Sequence, residues 1–580
     1  NPGRPSEVCD GFDTDCDGAL LEGESDVDGD GSFVCNGDCD DGDPLRFPGN
    51  PEVCDFIDND CDNVVPANEV DGDGDLSPSC LDCDDANAAV YPGAPDVCDG
   101  ILDNDCSGGT DAQEGDGDAD SFTECAGDCD DSDGAINPNA TELCDGIDND
   151  CSGQPLASEL LDSDNDGTLD CTDPDCPIWV RGSYVGGASV GTAADPFVTI
   201  AAGIAAAEAG TCPTVAVLPG TYTEQVDFGT DELRLVAEEG PAVTTIDGGG
   251  AGPVVVVDGA QTATGSLLWG FTISGGVSVL TNGYSGHGGG VYVAGASLTV
   301  QANVISGNEA RFHGGGLYSD GGDMVLLDNV FAGNTADFDG GAAYIKGSDG
   351  LIEANQILGN DAGDDAGGLF LGDGSLAEVR WNVIAENVCT GVNDAGGAGW
   401  GGGLLNHSGA DTDVHNNLMV GNTAEQGGAV FVYDSAPTMT NNTIYDNRAT
   451  AVGEPGGLRI FQGTFLGNIV AGGVGVGVRV VGSGVGVSWQ YNDVWNHTAG
   501  LYYDDQTVAG NGDLTGLNGN LSVSPQFVAA TANANVGDDV LSLLSTSLLI
   551  NAGSPAPGLN DANGTRNDMG AYGGPDGSWP

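Results

Sequence analysis

Between Asn303 and Asn447 one six-residue phrase recurs, as NVISGN, NVFAGN, NQILGN, NVIAEN, NLMVGN and NTIYDN. Its opening asparagines are Asn303, Asn329, Asn355, Asn382, Asn417 and Asn442, and its closing ones are Asn308, Asn334, Asn360, Asn387, Asn422 and Asn447. The first three steps are 26, 26 and 27 residues, the period of a repeat architecture. A second phrase, glycines followed by apolar residues, sits between them: GGGVY ending at Tyr292, GGGLY at Tyr318, GGAAY at Tyr344, GGLF at Phe370, GGGLL at Leu405 and GGAVF at Phe431. Segments this short, rich in β-branched or aromatic residues and flanked by Gly, read as strands joined by tight turns. A unit of this size cannot bury its own apolar face, so it stacks on its neighbours at about 4.8 Å per layer. Stacking superimposes each Asn on the next, and repeated Asn at one phase favours an amide ladder. The fold class implied is all-β, a right-handed parallel β-helix.

The first 177 residues are a different material, with 51 of the 91 acidic residues, two basic ones (Arg4 and Arg46) and 16 of the 18 cysteines. The cysteines fall into four sets, Cys9, Cys16, Cys35, Cys39; Cys54, Cys61, Cys80, Cys83; Cys98, Cys106, Cys125, Cys129; and Cys144, Cys151, Cys171, Cys176. Few large apolar residues accompany them, so disulfides and metal must replace a hydrophobic core. Four cysteines allow three pairings, and the spacing does not choose among them.

Each unit carries an alternating acidic loop: Asp26, Asp28, Asp30; Asp71, Asp73, Asp75; Asp116, Asp118, Asp120; and Asp162, Asp164, Asp166. Carboxylates at alternate positions of a tight loop converge on one point, as in oxygen-only calcium sites. In the fourth loop Asp170 and Asp173 fall at the ninth and twelfth positions, and in the second Asp82 is again the twelfth. Asp38 and Asp128 lie one residue later, where the cysteine spacing is also one longer, which suggests that an acidic closing ligand is retained. The cofactor expected is Ca2+. The alternative, a solvated acidic linker, leaves the cysteine phase and the mutual repulsion of close carboxylates without an account. Thiolate-bound zinc is disfavoured by the density of acidic oxygens.

The phrases CDGIDNDC (Cys144 to Cys151), GDCDD (Gly127 to Asp131) and YPGAPDVCDG (Tyr91 to Gly100) resemble the metal-binding repeat of secreted bacterial surface proteins. The loop DSDNDGTLDCTDPDC (Asp162 to Cys176) is similar to thrombospondin type 3 calcium repeats. The resemblance implies metal binding and an exterior location, and no activity. Copper is attached to some relatives of the first family, but no His or Met accompanies these cysteines.

Residues 178–260 read as the N-terminal cap and first coils of the helix, with a short amphipathic helix in DPFVTIAAGIAAAEAG (Asp195 to Gly210) as lid for the open end. Residues 261–500 read as regular coils and 501–580 as terminal coils and a closing segment, about 12 to 15 coils in all. The opening stretch and LLWGFTISGG (Leu267 to Gly276) resemble the pectate-lyase-like β-helix superfamily; FAGN with GGAAY is similar to the repeats of polymorphic outer-membrane adhesins; SLLINAGSP and NGTRNDMGAYGG resemble the closing segment of secreted bacterial β-helix proteins. No C-terminal membrane barrel is expected.

Polysaccharide lyases and hydrolases on this fold use clustered Asp with basic partners. The one constellation here is a ladder of His287, His313, Asp339 and Asp365, continued by Trp400, Gln426 and Glu454 at the same phase. It could hold a metal, a sugar, or an acid and base pair; the plainer reading is a solvated turn position. GHG at Gly286 to Gly288 and GDD at Gly363 to Asp365 resemble polygalacturonase motifs in reversed order and without a basic RIK-like partner. One lysine and ten arginines make a uronate-binding cationic groove improbable. Cys212 and Cys389 read as buried free thiols, and Trp489, Tyr491 and Trp495 as caps of the core.

The formal net charge of −80 repels nucleic acid and anionic lipid headgroups, and no apolar run has membrane-spanning length. The opening NPGRPSEVCDG matches the inside of a repeat, so the natural polypeptide is expected to extend further. The function expected is that of an extracellular, calcium-stabilised structural or adhesive surface protein, a fibre or filament subunit whose partner is itself, end to end or laterally, or cell-surface glycans. The competing readings are a carbohydrate-active β-helix enzyme and a glycan-binding module.

Overall fold

A computed structural model describes residues 9, 25–54, 56–66, 70–75, 77–92, 94, 106, 116–140, 147–151, 176–186, 189–210, 212–229, 232–258, 265–280, 283–392, 398–481, 486–504, 514–529 and 540–577. The chain divides into two compact units, Asn1–Leu143 with Ile147–Gly153, and Cys144–Gly146 with Gln154–Pro580.

The larger unit is a parallel β-helix built from four sheets of 12, 11, 7 and 11 strands. One coil shows the order: Leu298–Gln301 in sheet I, Val304–Ser306 in sheet II, Glu309–Ala310 in sheet III and Leu317–Asp320 in sheet IV. The next coil begins at Met324, which pairs in parallel with Leu298. Alternation along each strand turns one side chain inward per short strand. Ile273, Ile305, Phe331, Ile357, Ile384, Met419, Ile444, Val470 and Val494 accordingly form one fully buried column behind sheet II.

The expected ladder exists, and it runs beyond the recurring phrase. Each first asparagine sends its side-chain Nδ2 and its own backbone N–H to the Oδ1 of the next, as Asn329 does to Asn355 at 3.0 and 2.9 Å. The series continues through Asn468, Asn492 and Asn520. A second ladder links Asn308 through Asn447. These amides are at most 1 % exposed, and Nδ2 also donates to the coil behind, Asn355 to Leu326 O at 2.8 Å. The residue before each one bends the chain through a left-handed conformation, including Ala302, Trp381 and Tyr491, whose side chains disfavour it. The amide bonds hold these bends, which is why Asn follows them.

Helix α1 (Ile200–Ala209) covers the first coil. The Thr199 hydroxyl accepts from the Ala202 N–H, and the Glu224 carboxylate accepts from the N–H groups of Ile200 and Ala201. Its buried face carries Ile200, Gly203, Ile204 and Ala207; a Cβ on Gly203 would stand 2.7 Å from Val180. Cys212 is not the free thiol expected: it is bonded to Cys176, pinning the chain just before strand Ile178–Val180 to the start of the next coil. The chain distance between them hid this bridge, since the helix between them folds back over the coil. Cys389 is a buried free thiol.

After Leu521 the chain does not continue the stack. It returns along the outer face of sheet II as a strap. Leu541, Leu549 and Met569 pack on an apolar strip that includes Ala385, Val420, Ile469 and Ala471, with Phe527 and Tyr445 in edge contact. Asn416 Nδ2 donates to the carbonyls of Ala571 and Gly573, and Trp381 Nε1 to that of Asp576.

Asn355→Ala removes the acceptor of two buried donors on Asn329. Each unsatisfied buried group costs about 1–3 kcal/mol, so the substitution should lower the urea midpoint of the β-helix by a clearly measurable step, far more than Thr335→Ala on an exposed strand position does.

Candidate metal centre

In three repeats the structure brings the predicted aspartates together. Asp26, Asp28 and Asp30 each place a carboxylate oxygen within 4.8 Å of the others, as do Asp71, Asp73 and Asp75, and Asp116, Asp118 and Asp120. The fourth loop, with Asp162, Asp164, Asp166, Asp170 and Asp173, lies outside the described residues.

The loops are wound by their own carboxylates. Asp26 accepts from the N–H groups of Gly29 (2.6 Å) and Gly31 (3.2 Å), Asp28 from Asp30 (3.2 Å) and Asp30 from Ser32 (2.7 Å). The closing aspartate follows the same rule: Oδ1 of Asp38, Asp82 and Asp128 accepts from the N–H two residues on, at 2.9, 2.9 and 3.0 Å. The first loop aspartate, as in Asp26 and Asp116, spends both oxygens on the backbone, while the later loop aspartates and the closing one spend Oδ1 alone. The other oxygen, Oδ2, is buried without a hydrogen-bond partner in Asp28, Asp30 and Asp38, in Asp73, Asp75 and Asp82, and in Asp118, Asp120 and Asp128. Asp38 and Asp128 are 5 % and 4 % exposed. Buried anionic oxygens without a donor are costly unless a cation meets them. The donor set fits a hard metal ion.

Partial burial, with the charges of the neighbouring loop aspartates behind it, pushes the carboxyls of Asp28, Asp73 and Asp118 above the ordinary value. Asp38, Asp82 and Asp128 are among those neighbours, so the closing residue faces the loop. A further aspartate, not singled out from the sequence, braces each loop: Asp41, Asp85 and Asp131 accept from the N–H of its second residue at 3.2, 2.8 and 2.9 Å. The doubled Asp of GDCDD was the available signal. A second kind of acidic cluster, Glu52, Asp58 and Asp60, was also missed. There Glu52 accepts from Asn59 and Asp60, and Asp58 from Asp62 and Asn63.

The expectation that the four cysteines of a set pair among themselves is corrected, because in the first two sets one pair bonds internally while other members cross to the neighbouring set. Cys9–Cys35 and Cys54–Cys80 close loops of equal span, while Cys39–Cys61, Cys83–Cys106 and Cys129–Cys151 join one cysteine set to the next. The N–H of Cys39, Cys83 and Cys129 donates to the partner sulfur at 3.2, 3.1 and 3.0 Å. Each crosslink thus starts beside a closing aspartate; an Asp82 oxygen lies within 4.8 Å of both sulfurs of Cys83–Cys106. Oxidised sulfurs offer no thiolate to a metal.

On the β-helix, His287, His313, Asp339 and Asp365 occupy successive coils, with the N–H of the residue after each (Gly288, Gly314, Gly340 and Ala366) bonded to the next ladder residue's carbonyl. His313 Nδ1 lies 3.1 Å from Asp339 Oδ2. The imidazoles stack on the tyrosine column of sheet IV, His287 on Tyr318 at 4.5 Å and His313 on Tyr344 at 4.6 Å between ring centroids. Burial, and then the His313 and Lys346 charges, push His287 down to about 4, so it is neutral at neutral pH. Among the described residues no three of these side chains converge on one point.

Four segments, residues 1–20, 38–66, 82–112 and 128–155, match the family model described as "Putative metal-binding motif" and named for copper binding, and residues 271–422 match "Right handed beta helix region". The chain joins metal-binding repeats to a right-handed β-helix. The matched repeat segments contain the closing aspartates, the inter-set disulfides and the Glu52 cluster; the alternating loops Asp26 to Asp30, Asp71 to Asp75 and Asp116 to Asp120 fall between them. No curated protein matches the chain. Solved structures similar to it include pectate lyase Pel9A (17 % identity, TM-score 0.32, covering 68 % of this chain and 96 % of that one) and the catalytic domain of a GH87 α-1,3-glucanase in complex with tetrasaccharides (12 %, 0.24, 61 % and 69 %).

Two outcomes test the centre. Asp128→Asn should weaken cation binding in calorimetric titration by about tenfold or more, since 1.4 kcal/mol is tenfold, yet raise the melting temperature of the metal-free form by relieving repulsion. In the third loop Ala119 and Ser121 hold positive φ of 70° and 89° where the first loop has Gly29 and Gly31. Ala119→Gly with Ser121→Gly should therefore stabilise that repeat, by about 1 kcal/mol per residue.

Proposed function

We propose that the chain is an extracellular structural or adhesive protein whose repeats are stiffened by calcium. The observation that carries this reading is the recurrence, in three repeats, of a convergent aspartate triad together with loop and closing aspartate oxygens that are buried without a donor. Calcium suits them because it takes six to eight oxygen ligands in adaptable geometry, while copper favours nitrogen and sulfur, and His and Met are absent from residues 1–177. Among the described residues, five disulfides in the repeats and one in the β-helix imply an oxidising compartment. Among the described residues no helix is long and apolar enough to cross a membrane. In this reading the ion does no chemistry. It neutralises carboxylates and locks each loop against its closing aspartate, so the repeat segment is a spacer that presents the β-helix to another copy of the chain or to a surface glycan.

A glycan-binding role has one specific observation in its favour. Trp400, Tyr433 and Phe461 form a partly exposed aromatic group on sheet IV, and the guanidinium of Arg459 lies over Phe461 at 6.0 Å. The His287 ladder does not favour catalysis, since its rings are held in the aromatic stack and His287 stays uncharged.

The test is limited proteolysis with light scattering on the full chain, first in millimolar calcium and then with excess chelator. The expected result is chelator-induced cleavage confined to residues 1–177, together with loss of fixed-length particles or filaments. An unchanged cleavage pattern and unchanged scattering would overturn the structural reading, and retention on a polysaccharide column that Trp400→Ala abolishes would favour the second.

A further inference from the structure

One acid is buried where nothing in the metal centre needs it. Asp493 begins strand Asp493–Trp495 of sheet II, in the last full coil, and is 0 % exposed. Val494 turns into the core, so Asp493 faces outward, in register with Ile469 on one side and Leu521 on the other. There the strap covers it. Its Oδ1 accepts from the Val523 N–H at 2.9 Å, and its Oδ2 is buried with no partner. The cluster around this position is apolar: Ile469, Ala471, Leu549 and Met569, edged by Leu521, Val523 and Phe527.

An isolated carboxylate in such a place is far costlier than the neutral acid. Burial alone raises Asp493 to about 7, against the single opposing contribution of the Val523 N–H. The charged groups of the strap are engaged elsewhere. Arg566 donates to the carbonyls of Ala552 and Gly553 and lies over the Tyr491 ring, Asp561 accepts from Asp568 and Gly574, Asp568 accepts from Asn551, and the Asp576 carboxylate lies 3.9 Å from His415 Nδ1. None of them acts on Asp493. His497, later in the same coil, is pushed down to about 4 by burial and is uncharged above that value.

We propose that the strap beginning at Leu521 is a pH-responsive cover, held on sheet II while Asp493 is protonated and loosened when it ionises. The sense follows from linkage. An acid whose folded-state pKa is raised disfavours the docked form once ionised, so docking is tightest below the unfolded value of 3.8 and weakens until pH passes about 7. His497 acts in the opposite sense, and only below its free value of 6.5. Loosening uncovers the strip Ala385, Val420, Ile469 and Ala471, an apolar sheet face able to take another chain.

The experiment is hydrogen exchange of the full chain with calcium present, read on peptides covering 521–529 and 540–577 and corrected for intrinsic rates, at about pH 5.5 and about pH 8.5. With the two pKa values above, local opening should rise about thirtyfold across that interval. Asp493→Asn keeps the acceptor for Val523 and supplies a donor in place of the acid hydroxyl, so its strap should show a flat profile, and Asp493→Leu should do the same. A flat profile in the unaltered protein overturns the proposal without reference to any variant. Equal pH dependence in the unaltered protein and in either variant overturns it as well.

Discussion

The side-chain amide of a buried asparagine is what the β-helix depends on. A coil of three- and four-residue strands must turn sharply several times, and at each first-ladder turn one residue adopts a left-handed backbone that side chains such as those of Trp381 and Tyr491 resist. The Asn that follows satisfies the donors and carbonyls released by the bend, and passes the same arrangement to the next coil. Because every amide is both donor and acceptor for its neighbours, the order of one coil fixes the register of the next. That register in turn aligns the isoleucine column inside and the tyrosine column outside.

The repeats solve the opposite problem. They have no apolar column to align, and their backbone donors are bound by carboxylates instead of by amides. A carboxylate has no donor of its own, so a loop wound in this way ends with buried anionic oxygens that the protein itself does not satisfy. In the reading proposed above, a bound cation would supply what these oxygens lack.

The sequence exposed the periodic parts of this design because periodicity is a physical requirement of stacking. Asn303 to Asn447 marked the ladders, and Asp26, Asp28 and Asp30 marked a loop whose members the structure brings together. Features without a period were hidden. Cys212 stands alone in its stretch, and only the folding of α1 back over the first coil brings it to Cys176. The cysteine sets were visible, but the pairing of Cys39 with Cys61 was not, since it crosses from one set to the next and grouping by spacing pointed to pairs within a set. Glu52, Asp58 and Asp60 gather from a segment with no alternating pattern. The return of the chain over sheet II lacked any local signal, because Leu541, Leu549 and Met569 are ordinary apolar residues until a partner surface is known.

The interlaced crosslinks of the repeats have a mechanical meaning. Cys54 lies within the loop closed by Cys39–Cys61, and its own bond reaches forward to Cys80, three residues from Cys83. A pull along the chain therefore passes from bond to bond through short covalent bridges and leaves most of the intervening backbone slack. If cations stiffen the loops as proposed, their loss would let this segment bend, while the crosslinks would keep its greatest length under tension nearly the same. On that reading its joints would be mineral, while its links are sulfur.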